Sequence, residues 1–304
     1  MKKYLQSTAF LAIVACILWS TAFVGIKIGL KYTTPLQFAG IRFFLSGLMI
    51  LPFIPNLKEK WENAKSHIKT ILLLGLLQTT LLYAFFYLGI SMLPAALSAM
   101  LIGSGPLFAA IIAHMAMADD KMSWHKIVSI GLGMVGIAII SLSRKSLAYE
   151  GDMLWIGIVL LLLNNVLGGI GNVVIVKHAR NVAPMVLSSV SLSFGGAVLF
   201  LISIPIEGFQ FQVYPTEYYG ALGWLSFLSA AAITIWFTLL RRPEVKISNL
   251  NMWKFIIPVM GAWLSWTLLP NESPDLISII GMIVIASALL LLNYFNRKEA
   301  KANS

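Results

Sequence analysis

Ser20-Thr21-Ala22-Phe23-Val24-Gly25-Ile26-Lys27, followed by Pro35, returns later in the chain as Ile170-Gly171-Asn172-Val173-Val174-Ile175-Val176-Lys177, followed by Pro184. The lysine-to-proline gaps are eight and seven residues. Each passage closes an apolar run with a lysine, and a proline then starts the next run. Further on, Ile127-Val128-Ser129-Ile130-Gly131 echoes Leu276-Ile277-Ser278-Ile279-Ile280-Gly281. Upstream of these, Gly105-Pro106-Leu107 and Ile257-Pro258-Val259 place a proline inside corresponding runs. The chain therefore reads as two related halves, 1–148 and 149–304.

The composition around these passages sets the class. Of 304 residues, 59% are hydrophobic and only 11% are charged, against about 25% charged in soluble domains. Too few polar side chains exist to cover one or two soluble domains. Apolar runs fall at 8–26, 36–54, 68–87, 92–115, 125–142, 152–176, 184–205, 218–240, 250–269 and 274–294. A spanning helix needs roughly 20 such residues, and lipid does not tolerate an open sheet edge. The expectation is an all-α integral membrane protein with ten transmembrane helices. Five spans per half is an odd number, so the second half sits upside down relative to the first. Inverted repeats of this kind underlie alternating access in transporters. The first run continues to Lys27 without a small-residue cleavage site, so it reads as a span rather than a removable leader.

Charge sets the orientation. With the N-terminus inside, 17 of the 22 basic residues fall on cytoplasmic segments, among them Lys58, Lys60, Lys65 and Lys69 in one and Arg241, Arg242, Lys246 and Lys254 in another. The outer side keeps Lys27, Lys31, Arg144 and Lys145. This bias predicts a multi-pass inner-membrane protein with both termini cytoplasmic. The net charge of +10 is thus a topology signal and a means of contacting anionic lipid, not a nucleic-acid footprint. Gly25-Ile26-Lys27-Ile28-Gly29 has the G-x-x-x-G spacing, but its lysine weakens it as a pairing face; the expected state is a monomer or weak homodimer.

Polar groups within spans are costly in lipid and face the bundle interior. Trp19, Phe23 and Lys27 recur every four residues on one helix face, an aromatic wall with a cation at its outer end; alternatively, Lys27 snorkels to the headgroups. In the third span Gln78, Tyr83 and Tyr87 are cavity candidates, with an interface anchor as the alternative for Tyr87. Asn165 and Asn172, among glycines of the sixth span, either bind a polar substrate or bond across helices. Ser98 in the fourth span, Trp236 in the eighth and the deeper tryptophan of the ninth, Trp263, complete the expected substrate cavity. Asn165, Tyr83 and Trp263 are expected to share it. Pro106 and Pro258 each free the carbonyl four residues earlier, which seeds a hinge or a static kink.

No Asp or Glu lies well inside a span, and no metal-ligand cluster or Walker motif is present. The single cysteine, Cys16, lacks a histidine–carboxylate set. The chain is therefore not expected to be an enzyme or to need a metal or cofactor. Lys27 and His114 are the only candidates for carrying a proton. Downhill facilitation or exchange is the simpler expectation, with proton antiport as the alternative.

Leu18-Trp19-Ser20-Thr21-Ala22-Phe23 with Lys27, Pro35 with Arg42, Pro94-Ala95-Ala96-Leu97-Ser98-Ala99, Pro106-Leu107, and Gly131 to Gly136 follow one another in an order and spacing that resemble EamA-type transporters of the drug/metabolite transporter superfamily. Ile257-Pro258-Val259, Glu272 and Ile280-Gly281 continue the resemblance, which covers residues 8–294. It implies ten helices in two inverted five-helix repeats. The implied cavity is built from the first, third, fourth, sixth, eighth and ninth helices, with the fifth and tenth peripheral. It also implies secondary transport, often export, of small metabolites such as amino acids. Arg42 matches the family's second-helix arginine and reads as a structural cation bonding helix-end carbonyls. Where the family often closes the fourth helix with a glutamate, this chain has Ala118-Asp119-Asp120, so that role is not carried over. The competing class is a membrane binding or regulatory protein that keeps the fold without transport.

Overall fold

The computed structural model describes residues 7–121, 123–141, 152–209 and 212–302. The described elements are helical. Among the described residues, seven stretches are long and apolar enough to cross a membrane: Thr8–Gly29, Pro35–Phe53, Ile68–Met92, Ala95–Ala116, Met153–His178, Pro184–Glu207 and Thr216–Leu240. They correspond to runs one to four and six to eight. Lys2, Lys3, Arg144 and Lys145, used in the orientation argument, lie outside the described residues.

In chain order the helices are α1 (Thr8–Gly29), α2 (Pro35–Ile50), α3 (Leu57–Lys65), α4 (Ile68–Leu74), α5 (Leu82–Met92), α6 (Ala95–Ile102) and α7 (Gly105–Ala116), then α8 (Trp124–Ser141), α9 (Asp152–His178), α10 (Pro184–Glu207), α11 (Thr216–Leu240), α12 (Ile247–Asn251), α13 (Ile256–Leu268) and α14 (Leu276–Ala302). Local sequence sets several starts. Ser7 caps α1 by accepting from Phe10 N–H at 3.2 Å. Pro35 and Pro184 open α2 and α10, where a missing N–H costs nothing and the fixed φ suits a first turn.

Besides the 3₁₀ turn Leu51–Phe53 that follows α2, three stretches leave α geometry. A π-helical segment, Gly75–Leu81, joins α4 to α5. Gly103 and Ser104 separate α6 from α7. A 3₁₀ turn, Met252–Phe255, separates α12 from α13, so the ninth run is not one continuous helix.

Packing is closest between α2 and α10. A Cβ on Gly40 would stand 2.5 Å from Phe200 N, and one on Gly196 would meet the Phe44 backbone. Ser189 Oγ donates to Gly47 O at 2.7 Å across the same seam. Small residues allow this backbone approach, which drives helix association where lipid removes the hydrophobic term. α8 packs on α14, α1 on α11 and α13, and α9 on α5 and α7. α6 crosses α13, with Gly103 seated directly against Pro258.

Three carboxylates tie helix starts to distant helix ends. Glu207, ending α10, accepts from Leu36 N at 2.9 Å and Gln37 N at 3.0 Å. Glu272 accepts from Ala95 N at 2.5 Å and Ala96 N at 2.8 Å, capping α6. Asp120, just past α7, accepts from Ser248 N at 2.9 Å and Ser248 Oγ at 2.6 Å, capping α12. Each satisfies orphan N–H groups at a positive helix end. The shorter Asp120 thus occupies the position for which the sequence supplied no role: its reach is enough because the Ser248 hydroxyl meets it.

Candidate functional site: a cavity where broken helices cross

The three departures from α geometry inside the bundle border one central cavity, whereas the exposed turn Leu51–Phe53 does not. Gln78 and Thr79 of the π segment, Ile102 and Gly105 beside the α6–α7 break, and Asn251 and Lys254 at the α12–α13 break line it. Irregular backbone at membrane depth is tolerated where it lines a cavity or is buried in protein. About 140 Å³ is free to the centres of water molecules, some ten times what one water requires. That is room for a small metabolite or a group of waters.

The freed backbone groups are partly met by side chains. Asn165 Nδ2 donates to Leu101 O at 3.0 Å and to Ser104 Oγ at 3.1 Å, bridging α9 to the break after α6. Gln78 Nε2 donates to Gly168 O at 3.3 Å; Gly171 beside it leaves the space the amide occupies. Thr80 Oγ1 donates to Gly195 O at 2.9 Å, holding the π segment against α10.

Two cations border the cavity. Arg42 is only 2% exposed. Its Nε donates to Leu225 O at 3.2 Å, and its terminal nitrogens donate to Tyr87 Oη and, at 2.6 Å, Ser229 Oγ. It ties three helices together, and its carbonyl partner lies within α11 rather than at the helix end expected. Lys254 differs. Its Nζ stands 4.6 Å from the Trp236 ring centroid and 5.5 Å from that of Trp19. Those two rings meet edge-on, centroids 5.2 Å apart. Trp236 Nε1 donates to Asn172 Oδ1, Asn172 Nδ2 to Asn251 Oδ1, each at 3.3 Å, and Asn251 Nδ2 to Ile247 O at 2.9 Å. This relay fixes the aromatic wall. A desolvated cation–π contact contributes about 2 kcal/mol, whereas removing a cation from water costs several. The rings alone do not offset that cost.

Among the expected cavity residues, Trp19, Phe23, Gln78, Tyr83, Asn165 and Asn172 line it together with Trp236. Four do not. Tyr87 is fully buried, its hydroxyl taken by Arg42. Ser98 is fully buried and donates to Pro94 O at 2.9 Å. Lys27 is half-buried near the end of α1. Trp263 is 55% exposed, which corrects the expected pocket of Asn165, Tyr83 and Trp263: Gly261, Ala262 and Ser265 form the buried face of α13, so Trp263 points outward. His114 lies in α7 away from the cavity lining, its carbonyl accepting from Lys121 Nζ at 3.1 Å. Pro106 sits in the first turn of α7 and Pro258 near the start of α13, so both mark breaks between helices.

Lys254 was missed because it was counted with the cytoplasmic basic residues. The available signal was Pro258, whose missing N–H frees the carbonyl four residues earlier, at Lys254 itself. Arg42 and Leu192 also bring α2 and α10 to the lining, beyond the six helices expected. Among the described residues, no lining residue comes from α8 or α14, which pair with each other.

The profile of the EamA-like transporter family matches residues 6–142 and again 155–294. The chain is 26% identical over 302 residues to the uncharacterized transporter YvbV of Bacillus subtilis, covering 97% of this chain and 94% of that one. It is 24% identical over 303 residues to a probable amino-acid metabolite efflux pump of Escherichia coli, covering 96% of each. It is also 24% identical over 282 residues to the uncharacterized inner membrane transporter YedA of Escherichia coli, covering 91% of this chain and 87% of that one. A solved crystal structure superposes with a TM-score of 0.69 at 14% identity, over 96% of this chain and 98% of the other, so the two share a fold.

Proposed function

The chain belongs to the EamA-like transporter family, and from that premise we propose that it moves small metabolites, such as amino acids, outward across the bacterial inner membrane through the central cavity. It is a multi-pass secondary transporter and not an enzyme. The observation that carries the substrate path is the cavity at the crossing of α6 and α13, where two interrupted helices meet with polar side chains around them.

We read the architecture as ten spans in two inverted five-helix repeats, 1–148 and 149–304. The family profile matching twice supports this. So does the packing: exchanging the halves maps α1 on α11 onto α9 on α5, α1 on α13 onto α9 on α7, and α6 on α13 onto α12 on α7, while α2–α10 and α8–α14 map onto themselves. The caps follow the same exchange, Glu272 serving α6 and Asp120 serving α12. For both termini cytoplasmic, the support is that Arg241 and Arg242 gather with Arg180 and Thr8 at one end, whereas Glu207, Glu217 and Glu272 hold the other. The working state is a monomer or weak homodimer. In this reading transport runs downhill as facilitation or exchange, since no carboxylate is among the described lining residues, with proton antiport as the alternative.

A metabolite screen in inverted vesicles tests this reading. A few small polar or aromatic metabolites should accumulate beyond vesicles lacking the protein. Movement of none, or of every solute alike, would overturn it. Adding a pH gradient at fixed membrane potential should leave the plateau unchanged; accumulation above equilibrium would replace facilitation with antiport.

A further inference from the structure

We propose that the substrate carries a carboxylate and that Lys254 is its counter-ion, so that the cavity favours a plain organic acid over a zwitterion and a zwitterion over an amine. The proposal rests on the transport reading of this same cavity and narrows its substrate class.

Four observations carry it. First, among the described lining residues the charged groups are Arg42 and Lys254, and no carboxylate is present. Second, the two cations are not alike. Arg42 is spent on Leu225 O, Tyr87 and Ser229. Lys254 has no acidic partner within 4 Å among the described residues; its ammonium faces the rings of Trp19 and Trp236, with the buried thiol of Cys16 nearby. Third, the groups that would position an anion around it are immobilised. Trp236 is pinned by Asn172, which is held by Asn251. Fourth, Lys254 lies at the 3₁₀ turn between α12 and α13, so an anion bound there contacts the break itself and couples binding to the crossing at Gly103 and Pro258.

The chemistry follows from charge. A carboxylate arriving at Lys254 replaces a lone cation facing aromatic rings with a charge-assisted pair in a low-dielectric site. A substrate ammonium would add a third positive charge, with only amide oxygens and ring faces to receive it. A lysine ammonium suits this task as a rotatable point charge on a flexible stem, able to leave the rings for the anion and return.

The test uses the full chain purified in detergent, with binding read from tryptophan fluorescence, because Trp19 and Trp236 flank the charge. The probes share one ring and differ in charge: phenylacetate, L-phenylalanine, phenylacetamide and L-phenylalaninamide. Phenylacetate should bind at least roughly tenfold more tightly than phenylacetamide, the scale of one charge-assisted hydrogen bond. Phenylalanine should lie between phenylacetate and phenylalaninamide. Lys254→Gln should bring phenylacetate and phenylacetamide within about twofold of each other, the tenfold preference being the only contribution removed. Lys254→Arg should restore the preference, and monodisperse elution of each variant establishes that it is folded. The proposal is overturned if the amide or the amine binds as well as the acid, if Lys254→Gln keeps the preference, or if no carboxylate probe binds. Efflux of neutral or cationic metabolites alone would also overturn it while leaving the transport reading intact. Absence of any flux, with acid selectivity retained in binding, would overturn the transport reading and not the anion site.

Discussion

Of the places where glycines bring the halves of the chain into contact, two behave differently. Along the α2–α10 seam, Gly40, Gly47 and Gly196 let one helix backbone press on the other, and the facing helical stretches run through the contact unbroken. At the α6–α13 crossing, Gly103 meets Pro258 where one stretch has just left α geometry and the other has just entered it. The seam is satisfied internally; the crossing needs Asn165 from a third helix to meet its polar groups. Small residues therefore make a rigid joint where the hydrogen-bond ladder continues and a lined cavity where proline and glycine interrupt it. Rigidity suits a fulcrum, and interruption suits the part that must respond to substrate.

The seam should break most severely. Gly40→Leu drives a side chain into the Phe200 backbone, which cannot give way as a flexible side chain would. The expected loss is about 3 kcal/mol or more, read as a collapsed monodisperse elution peak and a lowered Tm. A well-folded Gly40→Leu protein would mean that the two helices can separate, and the contrast with the crossing would fail.

Next come the carboxylate caps of the crossing. Glu272→Ala removes both acceptors at the start of α6, and Asp120→Ala does the same at α12. Each should cost about 1–2 kcal/mol of stability. If the halves are inverted copies, the two losses in Tm should be similar; a large effect from only one would show that a single cap holds the crossing.

A smaller effect is expected from Asn165→Leu. Interhelical hydrogen bonds in membranes average about 0.6 kcal/mol, so its stability should fall by only about 1 kcal/mol. Flux in vesicles should fall several-fold, because the break after α6 loses its tie to α9. Unchanged flux would reduce Asn165 to packing. At the bottom of the scale, Gly223→Ala meets open space on α11. Removing a glycine from a helix interior should stabilise by about 0.5 kcal/mol and leave flux alone.

Much of this was legible in the residues themselves. Runs of apolar side chains define the long helices because lipid leaves the backbone no other partner. Pro35 and Pro184 mark helix starts because a proline is accommodated only in the first turn. Gln78, Tyr83, Asn165 and Asn172 point inward because an amide or phenol facing lipid is too costly. These inferences depend on one residue and its immediate neighbours, together with the solvent around them.

What only the tertiary structure decided concerns partners far apart in the chain. That Asp120 serves where a glutamate was sought depends on a serine hydroxyl 128 positions away. That Tyr87 is unavailable depends on Arg42 reaching it. Trp263 and Trp236 have the same side chain within apolar helices, yet one faces outward and the other faces a lysine, because helix rotation is set by which neighbours fit. Lys254 shows the limit most clearly: a basic residue near the end of an apolar run carries the same composition signal in a loop as in a cavity wall. At the break that carries it inward, Pro258 leaves the carbonyl four residues earlier without a donor and Gly103 makes room for the proline ring, while Asn165 meets the polar groups of the facing break after α6. Sequence determines the energetic cost of burying such a group; only the assembled fold shows which neighbours offset it.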